Sequence, residues 1–286
     1  MKKIACITLD VEKDYGQEHI KGKFIVDEIL IREQDQLKRL FHPLNLKPTA
    51  FVVGKVLEEN PSIVDALKMA NFELGLHSYS HDLKRDPAVD VCKGVEAYKD
   101  AVGRNPIGYR APQGVITPQE VEILREFRFK YDSSIFPFLR FGKYCNITAP
   151  LYPYYIYGSS ILELPFASVP FLRFPIALSY MMFLGWNIYE TMFRIFGLPR
   201  ILIFDFHLHD IFCSKSFSYL SKPWKIFYSV IYKRDPWKHF LNFIYFLREQ
   251  GYIFVSMKHL SEEILKRNKP SSFPQLFEDF PPIKSG

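Results

Sequence analysis

Charged or titratable residues stand at the carboxyl ends of five predicted strands. These residues are Asp10, His77, Arg110, Asp132 and His207. In parallel barrels and open parallel sheets, the carboxyl ends of the strands form the edge at which active sites assemble. One charged residue can simply end a strand, but five together indicate a common site.

His77 and His81 have the spacing H-x-x-x-H. Residues four apart lie on one face of a helical turn, so we expect the two imidazoles to bind one metal ion. Helical zinc proteases carry a glutamate base at the place of Ser78, so the motif is not theirs. The alternative is a pair of unrelated surface histidines.

Asp10 and Glu12 offer a carboxylate as the third ligand. Side chains two residues apart in an extended segment point to the same side, so both can enter one site. A metal ion bound by one carboxylate leaves the other to act as a base. The alternative is a strand that ends in a solvated acidic loop, which the neighbouring Lys13 and Asp14 favour.

Two further strand ends offer an anchor and a proton donor. Arg110 precedes a stiff turn and can either orient a carboxylate base bidentately or form a structural salt bridge. His207 can donate a proton near neutral pH. Asp205 and His209 share its strand face, so the spacing leaves the choice between the two histidines open.

Predicted strands and helices alternate along the chain, which indicates an α/β fold with parallel strands. The strands are predicted at residues 3–10, 49–53, 72–76, 107–109, 128–132, 160–164, 201–206 and 252–255. The helices are predicted at residues 34–41, 60–70, 89–102, 117–126 and 236–250. Asn60 is the expected N-cap of the second helix, and Thr117 with Glu120 forms a predicted capping box.

Composition excludes several classes of protein. The chain has 286 residues, 48% of them hydrophobic, which suits one large or two small globular domains. A net charge of +6 is too small and too mixed to indicate nucleic-acid binding. None of the four cysteines has C-x-x-C spacing, which excludes a disulfide scaffold and a zinc knuckle. The first apolar run is too short for a signal peptide, so we expect a cytoplasmic protein.

Aromatic residues are concentrated in the second half of the chain, where residues 131–260 hold 34 of the 47. Residues 215–239 combine six Lys or Arg and one acid with interleaved aromatic residues. No run is continuous enough to span a bilayer. Aromatic and basic side chains suit the headgroup region of an anionic membrane, so we expect peripheral contact with its inner face and no nucleic-acid partner. The alternative is a large aromatic core with a solvated basic face.

In this order, the motifs resemble those of the NodB-type polysaccharide deacetylases, carbohydrate esterase family 4, over residues 4–255. Residues 8–12 (TLDVE) stand at the first motif, in the D-V-E or D-V-D form of one branch. Residues 77–81 match the second motif, H-S/T-x-x-H, and residues 110–114 match the third, R-x-P-x-G. Residues 207–210 (HLHD) stand at the last motif, and residues 131–137 and 162–165 are similar to hallmarks of the branch.

The resemblance implies a distorted (β/α) barrel over residues 1–267, with an aromatic-rich insertion around 138–200 and a C-terminal tail at 268–286. By position in the motifs, it implies that Asp10 is the general base, that Arg110 orients it and that His207 is the general acid. The implied metal ligands are Glu12, His77 and His81. The backbone N–H of Gln113 would bind the oxyanion. Asp132 would belong to the same group of residues, near the oxyanion and the substrate.

The implied activity is metal-dependent removal of an N-acyl group, acetyl first, from an amino sugar in a glycan or a lipid-linked saccharide. The implied cofactor is a divalent metal ion, Zn²⁺ first, with Co²⁺, Ni²⁺ and Mn²⁺ as alternatives. Two other functions stay open at this point. One is hydrolysis of a small non-sugar amide on the same barrel, and the other is a non-catalytic barrel that binds a glycan or a lipid.

Overall fold

A computed structural model describes residues 2–15, 34–140, 143–156 and 158–267. Its main sheet contains nine strands: β1 (Lys3–Val11), β2 (Thr49–Val52), β3 (Glu73–Leu76), β4 (Gly108–Tyr109), β5 (Tyr131–Asp132), β8 (Tyr154–Tyr155), β9 (Leu162–Glu163), β10 (Ile201–Phe206) and β11 (Tyr252–Phe254). The order is β10-β1-β2-β3-β4-β5-β9-β8, with β11 added beside β1. A separate antiparallel pair consists of β6 (Leu139–Arg140) and β7 (Tyr144–Cys145).

Helices connect most of the strands. They are α1 (Gln34–Phe41), α2 (Gly54–Glu59), α3 (Ile63–Met69), α4 (Pro87–Val102), α5 (Pro118–Glu126), α6 (Leu178–Leu184), α7 (Trp186–Phe196), α8 (Leu208–Ile211), α9 (Lys222–Tyr232), α10 (Pro236–Glu249) and α11 (Met257–Arg267). Short 3₁₀ turns lie at His42–Leu44, Pro112–Gly114 and Lys215–Tyr219. Within the described ranges, every helix is too short or too polar to cross a membrane.

The first strand, β1, has three parallel partners. Residues 4–9 pair with β10, residues 8–11 pair with β2, and residues 3–5 pair with β11. Its buried run extends from Ala5 to Val11, as expected for a strand with neighbours on both sides. The hydroxyl of Thr8 donates to the Phe204 carbonyl at 3.0 Å, so this polar group is satisfied inside the sheet.

The sheet curls into a half-barrel, and extended backbone bridges the interval between β9 and β10. The Ala167 N–H donates to the Ile203 carbonyl of β10 at 2.9 Å. Ala177 forms an isolated parallel bridge with Asp205. These contacts bring the segment after β9 alongside β10, so the carboxyl ends of the strands surround one region.

Many of the aromatic residues of the second half form the core between the sheet and α10. The ring centroid of Phe243 lies 4.7 Å from that of Phe204, and the ring centroid of Phe240 lies 5.1 Å from that of Phe206. All four side chains are fully buried. The sequence analysis gave two interpretations of the aromatic residues, a membrane surface and an aromatic core. For these four residues, the aromatic core is correct.

The predicted alternation of elements is confirmed, with corrections at particular positions. Residues 54–59 form α2, which was not predicted, so Asn60 ends that helix with an N–H bond to Val56 instead of beginning the next one. The predicted strand 128–132 is reduced to β5 because Arg128 takes a left-handed conformation (φ 61°) after α5. The expected insertion around 138–200 contains β6 to β9, α6 and α7. The expected tail at 268–286 lies outside the described residues, and the division into one domain and a tail stays a prediction.

The predicted capping box of α5 is present. Thr117 Oγ1 accepts from the Glu120 N–H at 3.1 Å, and Glu120 Oε2 accepts from the Thr117 N–H at 2.8 Å. We expect Thr117→Ala to lower the free energy of unfolding by about 1 kcal/mol in urea denaturation. The control is Ser62→Ala at the N-cap of α3, because the Ser62 side chain makes no capping hydrogen bond. Its expected effect is below about 0.5 kcal/mol, and equal losses in the two variants would contradict the role of the cap.

Candidate active site

The segment from His77 to His81 is a loop, and the helical turn expected from the spacing is wrong. Ser78 and His81 have φ angles of 54° and 59°, in the left-handed region, which interrupts a helix. The two imidazole rings nevertheless lie together, with centroids 4.8 Å apart. The residues therefore share a site through loop geometry and not through helical periodicity.

Side chains from within the loop and from α4 hold this strained backbone. The carboxylate of Asp90 accepts from the N–H groups of Tyr79 at 2.9 Å and Ser80 at 3.0 Å. Ser78 Oγ accepts from the His81 N–H at 3.1 Å. The first two N–H groups of α2 donate to carbonyls of the same loop. These bonds offset the cost of two left-handed residues and fix the positions of both histidines.

Glu12 lies against His81, and the solvated acidic loop considered for this segment is wrong. Glu12 is 8% exposed, and its Oε2 lies 2.7 Å from His81 Nε2. Ligand atoms of Glu12, His77 and His81 all lie within 4.8 Å of one another. Burial would raise the pKa of Glu12, but the imidazoles, His81 foremost, hold it well below its usual range. An ionised carboxylate and two imidazoles are a donor set that divalent transition metals bind.

The hydrogen bond at the other side of the His77 ring prepares it as a ligand. Its Nδ1 lies 2.9 Å from the carbonyl of Arg110. A carbonyl can only accept, so Nδ1 carries the proton and Nε2 keeps a lone pair. Burial lowers the pKa of His77 to about 4, which keeps the ring neutral at neutral pH. Glu12, His77 and His81 therefore fit a divalent metal ion.

Two other groups of ligand-type side chains occur among the described residues. They are Glu12 with His207 and His209, and Asp10 with Asp205 and His207. In the first group, His209 Nδ1 accepts from the Tyr15 N–H at 3.1 Å. In the second, both carboxylates already share the guanidinium of Arg110. Protein donors thus engage members of both groups, which makes them weaker candidates for a metal ion.

Arg110 is fully buried, and its guanidinium donates five hydrogen bonds. Nη1 donates to Asp10 Oδ1 at 2.6 Å and to Asp205 Oδ1 at 2.7 Å. Nε donates to the Ser133 carbonyl at 3.0 Å, and Nη2 donates to Thr8 Oγ1 at 3.1 Å and Ser133 Oγ at 3.2 Å. Arg110 therefore forms a buried ion pair with both carboxylates, with one bond to each in place of the expected bidentate contact, and its orientation of a carboxylate base stays a prediction.

Two aromatic rings cover the faces of this guanidinium. The Cζ atom of Arg110 lies 4.1 Å from the ring centroid of Phe51 and 4.3 Å from that of Phe166. Stacked rings attract the cation and keep water away from it. Its hydrogen-bonding edge is left for the two carboxylates and for Ser133 and Thr8.

Asp205 belongs to the site, although the sequence placed it only on the strand face of His207. It pairs in register with Thr8 of β1, whose hydroxyl lies 3.0 Å from Asp205 Oδ1. Burial, and then the charge of Asp10, raise the pKa of Asp205 to about 7. One guanidinium balances the charge of only one of the two carboxylates. A proton or a further cation would balance the charge of the other. The alternation along β10 was the signal that could have identified Asp205.

His207 faces the candidate metal ligands, whereas His209 is buried behind it. His207 Nε2 lies 3.5 Å from Glu12 Oε1. Asp210 Oδ2 accepts from the His207 N–H at 2.8 Å and lies 3.2 Å from its Nδ1. Burial opposes protonation, but the carboxylates of Asp210, Asp205 and Glu12 together outweigh it and raise the pKa of His207 well above its usual value. The ring of His209 stacks on that of His207, with centroids 4.7 Å apart, so of the two histidines His207 is the one that faces Glu12.

The turn after Arg110 places Gln113 in a left-handed conformation, with φ 56° and ψ 17°. The turn is anchored from β5, because the Ala111 N–H donates to Ser134 Oγ at 2.8 Å. Gly114 has φ 74°, and a Cβ atom there would lie 2.8 Å from the Ser134 carbonyl oxygen, so a side chain does not fit. The backbone around Gln113 is therefore held in place, and the predicted contact of its N–H with an oxyanion stays a prediction.

Asp132 lies behind this turn and is fully buried. Its Oδ1 accepts from Ser134 Oγ at 2.7 Å. Its carboxyl group also interacts with that of Glu163, the residue opposite it on β9. Burial raises the pKa of Asp132 to about 6, and burial together with the charge of Asp132 raises the pKa of Glu163 well above its usual value. Two buried carboxyl groups in contact share a proton, and this pair supports the turn through Ser134.

A small cleft of about 10 Å³, room for about one water molecule, opens beside Glu12 and His81. Its lining consists of Glu12, Lys13, Val53, Lys55, Val56, Ser80 and His81. The side chain of His207 is 25% exposed, which is more than that of either ligand histidine. Glu12 and His81 are therefore accessible from the cleft, and His207 is accessible from solvent.

Part of this site lies in a segment that matches a known family. Residues 33–131 match the family model described as polysaccharide deacetylase. This segment contains His77, His81, Arg110 and Gln113, whereas Asp10, Glu12 and His207 lie outside it. A peptidoglycan deacetylase of Helicobacter pylori is 33% identical over 106 residues, which cover 35% of this chain and 36% of that protein. The aligned segment thus spans about a third of the length of this relative.

Solved structures share the fold over nearly the whole chain. A putative polysaccharide deacetylase from Mycobacterium smegmatis is 18% identical and has a TM-score of 0.57, with 96% of each chain covered. The Puue allantoinase is 14% identical and has a TM-score of 0.58, with 91% of this chain and 90% of that chain covered. The curled sheet is therefore that of the polysaccharide deacetylase (β/α) barrels, as expected from the sequence.

The pair of Asp132 and Glu163 makes stability depend on pH. The folded chain keeps a proton on the pair, whereas the unfolded chain releases it above a pH of about 4.5. The free energy of unfolding therefore falls as the pH rises, by up to about 1.4 kcal/mol per pH unit. In Glu163→Gln, an amide N–H donates to Asp132 without titrating, so we expect a shallower slope between about pH 5 and 8 in urea denaturation.

The control for this measurement is Glu122→Gln on α5. The Glu122 side chain is 54% exposed and pairs only with Arg125 of the same helix among the described ion pairs. We expect this variant to keep the slope of the unsubstituted protein. Parallel pH profiles for Glu163→Gln and the unsubstituted protein would contradict the shared proton.

Proposed function

We propose that this protein is a metal-dependent hydrolase that removes an N-acyl group, acetyl first, from an amino sugar in a glycan or lipid-linked saccharide. The observation that carries the proposal is the convergence of two imidazoles and a carboxylate beside a second, Arg110-bound carboxylate. Ligand atoms of Glu12, His77 and His81 lie within 4.8 Å of one another. Asp10 Oδ2 lies 3.8 Å from His77 Nε2, which puts a base beside the ligands.

Asp10 is the proposed general base, and Arg110 is its positioning residue. The bond from Arg110 Nη1 holds Asp10 Oδ1 at 2.6 Å, which leaves Oδ2 on the side of His77 to accept a proton from the attacking water. The guanidinium is held by five hydrogen bonds and two rings, so the carboxylate keeps one orientation during the reaction.

The leaving amine and the developing oxyanion need donors on the other sides of the substrate. Burial lowers the pKa of His207, but the carboxylates of Asp210, Asp205 and Glu12 together raise it well above the usual value, which favours the protonated ring at neutral pH. Its Nε2 donates that proton to the amine nitrogen as the C–N bond breaks. The backbone N–H of Gln113 donates to the oxyanion in our proposal.

Glu12, His77 and His81 would hold a divalent ion, Zn²⁺ first, and that ion would supply a Lewis acid for the amide carbonyl and the attacking water. Hydrolysis consumes one water and yields acetate, or formate for a formyl substrate, together with a free amino sugar. The sugar substrate is supported by the polysaccharide deacetylase match of residues 33–131. A cytoplasmic location is part of the proposal, and the four cysteines, all within the described ranges, form no disulfide, which suits a reducing compartment.

His81→Ala tests the proposed metal site. We expect the purified protein to bind about one divalent ion, measured by elemental analysis, and the variant to lose both the ion and acetate release from N-acetylated sugars. His81 has a left-handed backbone, so His81→Asn is a second variant, because Asn tolerates that conformation better than Ala.

The matched control for the metal site is His259→Ala on α11, outside the candidate site. This variant is expected to keep the metal ion and full turnover. Full hydrolysis by both His81 variants would show that the assignment is wrong. A bound ion without turnover on soluble and lipid-linked N-acetyl sugars would favour the non-catalytic glycan- or lipid-binding barrel.

A second candidate function is hydrolysis of a small non-sugar amide. The specific observation is the fold shared with an allantoinase at a TM-score of 0.58, since that name describes an enzyme of another substrate class. Chelator treatment separates the two candidates. We expect removal of the divalent ion to abolish acetate release and its return to restore it. Turnover of a small non-sugar amide that is unchanged after chelation would favour the second candidate, which would work without a metal ion.

A further inference from the structure

One face of α9 is exposed, basic and apolar at the same time. At helical spacing, this face carries Lys222, Lys225 and Ile226, and Lys233 follows directly after the last residue of the helix. Each of the four is exposed. Ile226 is 59% exposed, which is high for a large aliphatic side chain. We call these four residues the α9 face.

The neighbouring helix α6 continues the α9 face with apolar surface. Phe183 of α6 is 45% exposed, and its ring stacks on that of Phe227 at 5.0 Å. Trp224 contacts Phe227 edge to face at 5.7 Å. Three aromatic side chains thus lie beside the lysines, and Phe183 among them is open to solvent.

The charge of this region has one sign. The helices α6 and α9 contain no Asp or Glu, and α9 begins with two lysines in its first turn. The acid of the following loop, Asp235, is engaged as the N-cap of α10, where its side chain accepts from the Lys238 N–H at 3.2 Å. The α9 face therefore complements an anionic partner.

Apolar side chains among lysines distinguish a lipid surface from other anionic partners. Nucleic-acid and soluble glycan sites use polar and stacking contacts and gain nothing from an exposed isoleucine. At a bilayer, aliphatic and aromatic side chains enter the acyl boundary while the lysine ammonium groups stay among the headgroups. Ile226 and Phe183 with flanking lysines match that arrangement.

The opposite face of α9 packs on the candidate active site. The ring centroid of Tyr228 lies 4.6 Å from that of Tyr15 and 5.7 Å from that of His209. The hydroxyl of Tyr232 donates to the His209 carbonyl at 2.6 Å. A helix is about 10 Å across, so one helix thickness separates the α9 face from the stacked pair of His209 and His207.

We propose that the α9 face, with Phe183, docks on a bilayer that contains anionic lipid and presents the active site to substrates at that surface. A lipid-linked amino sugar is then the substrate form that the docked protein reaches directly. This last statement rests on the proposed deacylation, whereas the docking does not.

Flotation with vesicles of phosphatidylglycerol and phosphatidylcholine tests the docking without any turnover. We expect the full chain to float with mixed vesicles at low salt and to stay at the bottom with pure phosphatidylcholine. At about 1 M salt the Debye length falls to about 3 Å, so flotation should be lost or strongly reduced. In Lys225→Glu/Ile226→Glu, partition onto the anionic vesicles should fall by about tenfold or more.

A matched control replaces one exposed apolar residue and one exposed lysine by glutamate on α4, which packs on α2 and α5. Val89 is 50% exposed and Lys99 is exposed, so Val89→Glu/Lys99→Glu makes the same change in net charge. We expect this control to float like the unsubstituted protein. A second variant, Lys222→Glu/Lys225→Glu, changes exposed lysines only, and thermal melts verify that each variant folds.

Three results would overturn the proposal. The unsubstituted protein could stay at the bottom with anionic vesicles at low salt. The α9 and α4 variants could lose flotation equally, which would assign binding to net charge and not to this surface. Retention on a soluble polyanion such as heparin without flotation would assign the surface to an acidic polymer. Acetate release is measured separately, so a failure of docking and a failure of the proposed activity are distinguishable.

Discussion

The burial of one guanidinium between two carboxylates constrains the rest of the site. Arg110 comes from the end of β4, Asp10 from β1 and Asp205 from β10, and all three residues are at most 7% exposed. Removing one partner of a buried ion pair typically costs about 3–5 kcal/mol, because a charge is left uncompensated. The three strand ends are therefore locked together by the interaction that orients the proposed base. Stability and chemistry cannot be separated at this point of the fold.

Residues that touch no reacting atom determine much of the geometry. The segment after β5 supports the site twice, since Ser133 binds the Arg110 guanidinium and Ser134 binds the backbone of the following turn. Asp90 has the same relation to the histidine loop. Each support is a short side chain that accepts from backbone N–H or guanidinium groups, so small changes in these residues would displace the site without altering its chemical groups.

The sequence predicted the site best where the ends of parallel strands position its residues. Asp10, Arg110 and His207 end parallel strands, and strand ends converge by the geometry of the sheet. The histidine loop was predicted with the wrong conformation, because two left-handed residues depend on tertiary hydrogen bonds from α4 and α2. Helix α6 was not predicted because its seven residues include no charged one, whereas α7 was missed although Asn187, Glu190 and Arg194 share one of its faces. The partnership of Asp132 with Glu163 depends on a strand order that the sequence does not reveal.

The pairing of β1 also determines when the site can form during synthesis. This strand carries Asp10 and is followed by Glu12, yet its partners β10 and β11 lie about 200 and 250 residues further along the chain. Chains emerge from the ribosome in order, and contacts of such long sequence separation form late. Until residue 254 has been made, β1 lacks part of its pairing, and its apolar run stays exposed. The nascent chain thus carries a hydrophobic strand with one unpaired edge for most of its synthesis, which makes it a natural substrate for chaperones that act before release.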